Sequence, residues 1–544
     1  MQDPLKMSAV RAWQFCISAL FFASSWALPF MNTSIPGPFS GYQVFEVHVN
    51  ETSALGPLLR SLETAYPIDI WGRPSKQSFD VMVSPEQLSD VIKFIKNKDA
   101  SYNVKVQDVQ RLLDEHMDHL EHHRERRSLP VSSVTRRYLK FRQIRQFLQN
   151  VRENATNADV TLSNLGRSFE GRMTPYVTIR KKNSQQENKQ VVVIEAGIHA
   201  REWIAPSMAL NIIYRLAFNP NNDPDLDELL TKFDWIIIPT VNPDGYVYSH
   251  RNSSTRLWRK TRTTLYSSDP HCMGVDGNRN FGYEWSDSPS HGGNSNPCTD
   301  NYSGPQGFSE PETRNLKTLL TRLGGRVALY LSLHSYGQFF LYPWGYDATA
   351  TLNDESDMME VGRKFADAMW ERNRWYEVGS ASQVLYEAAG AADDYARGGA
   401  GIKYAFTVEL SPTDSSPHGF LLPAHHISTV VNDHWPAFKQ IALTVWNKLN
   451  QTRNNNNNNN NNSNNNNNHY TDDSSPASAA SSSNNINRRG SNSADNQVEV
   501  SINGFNYSMD PHDPRMSQWI QYYRDFLNYR RQYERYGGKR RARR

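Results

Sequence analysis

One stretch of the chain places two metal-binding side chains where a buried strand ends. Residues 190–195 are apolar and largely β-branched, which predicts a strand that is covered on both faces. Residues 205–218 carry apolar side chains at helical spacing. His199 and Glu202 stand between them, at a strand-to-helix corner of the kind where active sites collect in α/β proteins. The pattern predicts an α/β fold with a functional site at the carboxyl edge of its sheet.

A second apolar run supplies a further metal ligand. Residues 329–333 read as another buried strand, and His334 follows directly. A catalytic zinc ion usually takes three protein ligands and leaves its fourth position to water. We therefore expect one Zn²⁺ per chain, held by His199, Glu202 and His334.

With these three residues in view, the chain resembles the zinc metallocarboxypeptidases of the pancreatic carboxypeptidase A/B family. The resemblance covers roughly residues 40–445 and rests on landmarks that follow one another in the family's order. They lie at residues 199–203, 256–262, 274–280, 333–336, 386–388 and 401–410. Any one of these segments could match by chance, but the ordered set could not.

The resemblance implies a fold and a role for each matching side chain. The fold would be an α/β domain with a mixed, mostly parallel central sheet flanked by helices. Glu409 would be the general base, and Arg259 would stabilise the oxyanion of the tetrahedral intermediate. The substrate-binding residues would be a clamp on the terminal carboxylate, a mobile tyrosine that closes over it and a secondary arginine: Asn278 and Arg279, Tyr386, and Arg201.

Specificity is expected to depend on an acid at the base of the pocket for the terminal side chain. The family position that is apolar in A-type enzymes and aspartate in B-type enzymes falls on Asp393. A carboxylate there predicts a preference for terminal Lys or Arg. The family's Gly-Gly pair is Gly390-Ala391 in this chain, and the adjacent Asp394 leaves open which acid faces the pocket. An A-type preference and a non-catalytic secreted binding protein on the same scaffold remain as alternatives.

Residues 41–119 resemble the family's pro-segment, a small α+β open sandwich that covers the active site. We expect helices at 52–65 and 84–97, and an antiparallel sheet built from 42–49, 78–83, 104–106 and 109–113. An independent binding module is the other interpretation. The basic run 122–128 predicts cleavage after Arg127 by a trypsin-like or dibasic-directed protease, with Arg136-Arg137 as a second candidate site.

The N-terminus and the cysteines predict export. Residues 12–23 are apolar, and small residues precede a cleavage position near Ala27, as in a secretory signal; an N-terminal anchor is the alternative. Of three cysteines, Cys16 lies within that signal. Cys272 and Cys298 then form a single pair, which in an exported chain predicts a disulfide, and the family has its disulfide in the same place. We expect a secreted, extracellular protein.

The predicted organisation has five parts, and the last two lie outside the family resemblance. The five parts are a signal peptide at 1–27, an activation pro-segment at 28–127, a catalytic domain at 128–450, an Asn/Ser-rich disordered linker at 451–496, and a basic aromatic tail at 497–544. The net charge of +3 excludes little, and no nucleic-acid partner is expected. Peptide or protein C-termini are the expected substrates, and a monomer is the expected state.

Overall fold

A computed structural model describes residues 37–75, 77–121, 130–186, 189–269, 272–288, 291–465, 498–502 and 505–509. The predicted signal sequence and the predicted cleavage site after Arg127 lie outside these residues. So do most of the Asn-rich linker and the cationic end of the chain.

The first part of the chain forms a four-stranded antiparallel sheet in the order β2-β3-β1-β4, with two helices packed against it. Its elements are β1 (Gln43–His48), α1 (Thr52–Ala65), β2 (Asp69–Ser75), β3 (Ser78–Val83), α2 (Leu88–Asn97), β4 (Ser101–Val106) and α3 (Val109–Glu121). Phe45 and Val81 of the sheet pack with Leu62 of α1 and Val91 of α2 in one core. The predicted α+β sandwich is confirmed.

Two elements of this part differ from the prediction. Residues 109–113 begin the helix α3 and form no strand, because Val109, Leu113 and His116 are buried at helical spacing. Strand β2 was not predicted. Gly72 and Pro74 interrupt its strand pattern, because both residue types are uncommon inside strands. They are tolerated in β2 because this strand lies at the edge of the sheet.

The following part is built on an eight-stranded mixed sheet in the order β11-β10-β12-β9-β7-β8-β6-β5. Its strands are β5 (Ala158–Arg167), β6 (Met173–Lys181), β7 (Gln190–Ala196), β8 (Phe233–Ile238), β9 (Val327–Gly337), β10 (Phe339–Tyr342), β11 (Glu377–Ser380) and β12 (Ala405–Thr413). The central strands β12, β9, β7 and β8 run parallel. The pairs β5/β6, β6/β8 and β10/β12 are antiparallel. The predicted mixed, mostly parallel sheet is confirmed.

Helices cover both faces of this sheet. They are α4 (Phe141–Asn154), α5 (Ile204–Phe218), α6 (Leu226–Lys232), α7 (Pro243–Ser249), α8 (Pro311–Leu323), α9 (Glu355–Trp370), α10 (Ala381–Val384), α11 (Ala392–Asp394) and α12 (Ile427–Asn465). Side chains alternate along β7, so that Val192 and Ile194 join one core with α5, whereas Val191 and Val193 join a second core with α8. A strand buried on both sides reads as a continuous apolar run, as predicted for 190–195.

Cys272 and Cys298 form the predicted disulfide.

Helix α12 continues to Asn465, past the predicted onset of disorder at 451. Extending an existing helix needs no new nucleus, even where asparagine is a poor helix former. Within the described residues, none of the helices has the length and apolar character that a bilayer span requires.

A separate hairpin lies in the segment predicted to be a basic aromatic tail. Strands β13 (Val498–Ile502) and β14 (Phe505–Met509) pair antiparallel. The sequence between them, Asn503-Gly504, is a strong hairpin signal, which the prediction of a basic aromatic tail from composition overlooks.

Candidate active site

Three adjacent strands bring the predicted site residues to one edge of the sheet. His199 and Glu202 follow β7, while His334 and Glu409 lie opposite each other in the parallel pairing of β9 with β12. Gly197 makes the turn after β7 with a φ of 66°, and a Cβ there would lie 3.0 Å from Cγ of Pro206. A glycine is therefore needed where the chain turns toward the site.

The three predicted metal ligands converge. Their ligand atoms all lie within 4.8 Å of one another, and each residue is at most 3% exposed. Nδ1 of His334 is 3.1 Å from Nδ1 of His199 and 3.1 Å from Oε2 of Glu202, and Oε1 of Glu202 is 2.7 Å from Nδ1 of His199. In the described part of the chain this is the one such cluster of His, Cys, Asp and Glu side chains.

The outward-facing ring nitrogens show that the cluster fits a cation. Nε2 of His199 lies 3.0 Å from Oδ1 of Asp276, a carboxylate oxygen that accepts the ring proton. Nε2 of His334 lies 3.0 Å from the hydroxyl of Ser332. With both protons on Nε2, two nitrogen lone pairs and the Glu202 carboxylate face one another with no proton between them. Nitrogen and oxygen donors in this number suit Zn²⁺, whose tetrahedral ligands lie about 3.3 Å apart.

A carboxylate joins one histidine of the cluster to a nearby arginine. Oδ2 of Asp276 accepts from Nε of Arg259 at 3.0 Å and from Nη2 at 2.8 Å. Burial raises the pKa of Asp276, but the charge of Arg259 and then that of His199 outweigh burial and hold this pKa well below its usual range. Asp276 thus orients both a metal ligand and the predicted oxyanion-binding residue.

A buried chain of hydrogen bonds supports the other histidine. The hydroxyl of Ser332 accepts from Nε2 of His334 and donates to Oε1 of Glu195, which also accepts from the hydroxyl of Tyr330 at 3.2 Å. Tyr330, Ser332 and His334 alternate along β9 and so share a face, and the register of β7 with β9 places Glu195 opposite Ser332.

Glu409 presents a carboxylate that is not committed to a protein partner. Its buried Oε2 atom has no hydrogen-bond partner among the described residues. Burial, opposed by His334 and reinforced by Glu202, raises the pKa of Glu409 to about 8. An acid of this kind is suited to taking and giving a proton near neutral pH.

Arg259, Asn278, Arg279 and Tyr386 line the same small cavity as Glu409, of about 100 Å³. Arg279 is oriented by hydrogen bonds from Nε to the carbonyl of Gly292 and from Nη1 to the carbonyl of Asn278, both at 2.9 Å. The structure gives its Nη2 atom no acceptor among the described residues. The Arg279 guanidinium lies 5.8 Å from the centre of the Tyr386 ring.

Two adjacent aspartates differ sharply in their surroundings. Asp394 accepts three close contacts from backbone N–H groups, two from Gly345 at 2.9 and 3.0 Å and one from Tyr346 at 2.9 Å. Asp393 lines the small cavity, is 2% exposed, and has a buried Oδ2 without a hydrogen-bond partner among the described residues. Burial raises the pKa of Asp393. Burial and then the charge of Asp393 raise the pKa of Asp394.

The N-terminal sandwich covers this cavity. Ile70, Trp71 and Gly72 of β2 contribute to its lining. Trp71 packs edge to face on Phe420, with ring centroids 5.6 Å apart. The N-terminal sandwich therefore lies over the predicted site, as a pro-segment would.

Arg201 lines a second, larger cavity, and its guanidinium is already hydrogen-bonded to strand β2. Its Nη1 atom donates to Oδ2 of Asp69 in β2 at 2.6 Å, and its Nη2 atom donates to the carbonyl of Ile70 at 3.1 Å. Arg201 is 1% exposed, beside a cavity of about 420 Å³ that Arg259 and Arg279 also line.

Glu63 lines the larger cavity from the α1 side. Its Oε1 atom accepts from Asn301 at 3.1 Å. Burial raises the pKa of Glu63 to about 7, opposed first by the charge of Arg279. Two carboxylates of the sandwich thus face the arginines of the cleft.

The structure brings eight of the predicted site residues to one cavity: His199, Glu202, Arg259, Asn278, Arg279, Tyr386, Asp393 and Glu409. His334 lies beside it through the metal cluster, and Arg201 lies in the adjoining cavity. Sequence reasoning did not assign Asp276, Ser332 or Glu195. The available signal was a charged or polar residue inside a motif or at the end of an apolar run.

Comparison with known proteins agrees with this geometry. Residues 144–437 match the model of a family described as zinc carboxypeptidase, and residues 50–116 match that of the carboxypeptidase activation peptide. The second match covers most of the N-terminal sandwich.

Individual relatives carry both specificity names. The chain is 35% identical to carboxypeptidase B of Helicoverpa zea over 73% of its length and 92% of the relative's. It is 34% identical to carboxypeptidase A2 of Mus musculus over 74% and 93%, respectively. The crystal structure of carboxypeptidase A from Helicoverpa armigera aligns with a TM-score of 0.67 and 29% identity, covering 75% of this chain and 98% of the other.

Proposed function

Because the chain belongs to the zinc carboxypeptidase family and carries that family's activation peptide, we propose that it is a secreted B-type zymogen, which removes terminal Lys or Arg from peptides once activated. The observation that carries the B-type preference is the buried, unpartnered Oδ2 of Asp393 in the cavity that Glu409 also lines.

His199, Glu202 and His334 would hold the metal. Zinc bound there would polarise the scissile carbonyl and acidify a bound water. Glu409 accepts the proton of the attacking water and passes it to the departing amine. Its free Oε2 atom and its pKa of about 8 suit both transfers.

Two arginines divide the negative charges of the reaction between them. Arg259, held by Asp276, stabilises the oxyanion that forms on the scissile carbonyl. Arg279 and Asn278 bind the substrate's terminal carboxylate, for which the Nη2 atom of Arg279 is available. Tyr386 closes over this carboxylate, and Arg201 contacts the peptide further from its end. An interior peptide bond lacks the terminal carboxylate, so the enzyme acts only at chain ends.

Asp393 selects the terminal side chain, whereas Asp394 stabilises the backbone at Gly345 and Tyr346. Three backbone contacts already occupy the carboxylate of Asp394. Oδ1 of Asp393 accepts from the N–H group of Asp394 at 3.1 Å, but Oδ2 is buried without a partner among the described residues. Such burial is costly, and a cationic side chain entering the pocket removes that cost. An apolar terminal residue would leave Asp393 unpaired, so it is disfavoured.

Latency follows from the position of the sandwich. Strand β2 lines the cleft, and its Asp69 carboxylate occupies Arg201 before a substrate can. Cleavage after Arg127 by a trypsin-like or dibasic-directed protease would release this cover. Export through the signal at 1–27 would bring the zymogen to such proteases.

A panel of peptides that differ only in their last residue tests the proposal. The activated protein should release Arg and Lys faster than Leu or Phe. Faster release of Leu or Phe would support the A-type alternative. A zinc-loaded, folded protein that releases none of them would support a binding protein on the same scaffold. Equal rates before and after cleavage at Arg127 would contradict latency.

A further inference from the structure

A strongly basic segment lies at the start of the larger part of the chain, away from the cleft. Between residues 130 and 152 there are six cations and no carboxylate: Arg136, Arg137, Lys140, Arg142, Arg145 and Arg152. The chain as a whole is nearly balanced, with 59 basic and 56 acidic residues. Such segregation of charge has no role in the reaction described above.

The structure leaves two of these cations without a counter-ion among the described residues. Arg142 and Arg145 are exposed and lie three residues apart on α4, where side chains share a face. Within the described residues, neither side chain makes an ion pair or a hydrogen bond. The buried face of the same helix is apolar, with Ile144, Leu148 and Val151 in the core. The helix thus presents its positive face to solvent.

These arginines line a groove of about 630 Å³ between α4 and the outermost strand, β5. Amide side chains make up most of the remaining polar lining: Gln143, Gln146, Gln149, Asn150 and Asn164. The lining also contains one carboxylate, Glu153, whose charge is paired with Arg152 at 3.5 Å. Gln146 and Asn164 are exposed, and their side chains have no hydrogen-bond partner in the described part of the chain. None of the residues that line this groove lines the catalytic cavity.

We propose that this groove binds a sulfated polysaccharide. Guanidinium groups match the planar arrangement of sulfate oxygens and can donate two hydrogen bonds to one group. Primary amides donate and accept at once, which suits the hydroxyl groups of sugars. Unpaired arginines beside free amides therefore complement a ligand that carries both sulfate and hydroxyl groups along its length.

Other polyanions fit the groove less well. Single-stranded nucleic acids need exposed aromatic rings for stacking, but the one aromatic residue in the lining, Phe147, is only 6% exposed. Binding to a membrane surface needs apolar side chains that insert. Leu265 is the one large apolar residue that is strongly exposed within the described residues, and it does not line the groove.

Affinity for heparin, used as the sulfated probe, tests the groove in the full-length proenzyme. Arg142→Ser with Arg145→Ser should weaken binding at least about tenfold and flatten its salt dependence, because two charge-assisted contacts and their released counter-ions are lost. Lys93→Ser with Lys96→Ser is the matched control. It removes two exposed cations with the same spacing from α2, and it should bind like the wild type.

The cationic end of the chain offers a competing explanation. A variant with serine at Lys539, Arg540, Arg541, Arg543 and Arg544 should retain most of its affinity if the groove is the principal site. If this variant loses binding while the Arg142/Arg145 variant keeps it, the proposal is wrong. Equal losses in the Arg142/Arg145 and Lys93/Lys96 variants would also overturn it, since they would indicate only non-specific attraction.

A second pair of substitutions tests the sugar contacts. Gln146→Ala with Asn164→Ala should lower the affinity for heparin severalfold without changing the slope of its salt dependence, because no charge is removed. Unchanged affinity in this variant would contradict recognition by the groove. The Arg142/Arg145 variant should also unfold at the wild-type temperature and, once activated, cleave a small peptide at the wild-type rate. This separates lost binding from lost folding.

Discussion

The two histidine rings at the metal corner and two carboxylates on the substrate-facing wall of the cleft differ in their hydrogen bonding. At the corner, both outward ring nitrogens are engaged, by Asp276 and by Ser332. On the wall, Glu409 Oε2 and Asp393 Oδ2 are buried without partners among the described residues. Both regions are built from the same sheet edge, so the difference does not come from location. We infer that the partnered nitrogens orient the two histidines as metal ligands, whereas the unpartnered oxygens are available to water and substrate.

The largest effect is expected where an unpartnered carboxylate carries the proton. Glu409→Gln should lower kcat by about 10²- to 10⁴-fold, because the amide cannot act as a base, while bound zinc is retained. Glu355→Gln is a control, since Glu355 only accepts from the Tyr342 hydroxyl at 2.8 Å. The turnover rate and the zinc content of both variants are measured. Near-normal turnover in Glu409→Gln would show that the unpartnered atom is not the base.

The next effect concerns the other unpartnered oxygen. Asp393→Ile should lower kcat/KM for Arg-ended peptides by about 10- to 100-fold, the equivalent of one charge-assisted contact, and improve it for Leu-ended ones. Asp394→Asn should instead lower the melting temperature and leave the preference unchanged, because Asp394 accepts from backbone N–H groups. If the effects of the two variants are exchanged, Asp394 is the acid that faces the pocket.

Removing the hydrogen-bond partner of a metal-binding histidine should lower zinc affinity more than it lowers the rate of the zinc-loaded enzyme. Ser332→Ala leaves Nε2 of His334 without its acceptor, so zinc affinity should fall by about 10- to 100-fold. Tyr330→Phe removes the other hydroxyl that donates to Glu195 and should change zinc affinity little. Competition with a chelator gives both values. If Ser332→Ala holds zinc as tightly as the wild type, the hydrogen-bond chain does not orient the ligand.

The smallest effect on activity is expected from a substitution in the N-terminal sandwich. Asp69→Asn should raise the residual activity of the uncleaved protein only a few-fold, because Trp71 still packs on Phe420 and Arg201 still donates to Ile70. The comparison is the activity of each proenzyme relative to its own cleaved form. A ratio identical to that of the wild type would mean that the Asp69–Arg201 contact plays no part in latency.

Sequence reasoning found residues that the structure brings together where the information is local. His199 and Glu202 stand three residues apart beside a strong strand signal, and His334 and Glu409 each follow an apolar run. The central strands were predicted for the same reason, since burial on both faces produces continuous apolar segments.

It was incomplete where residues meet only through register or docking. Asp276 contacts His199 across 77 residues of sequence, and Ser332 meets Glu195 through strand pairing. Likewise, the family resemblance implies a substrate-binding role for Arg201, but only the docked sandwich reveals that Asp69 occupies it. The proposed role of Asp393 rather than Asp394 also rests on the backbone of Gly345, which lies far from both in sequence.

One measurement tests the central claim most directly: hydrolysis of a peptide that ends in arginine, offered with a free carboxylate or as the C-terminal amide, by activated protein of known zinc content. We expect one zinc per chain, rapid release of arginine from the free acid, and almost no reaction with the amide, because Arg279 has no carboxylate to bind. Equal cleavage of both peptides, or release of arginine by protein without metal, would contradict this claim.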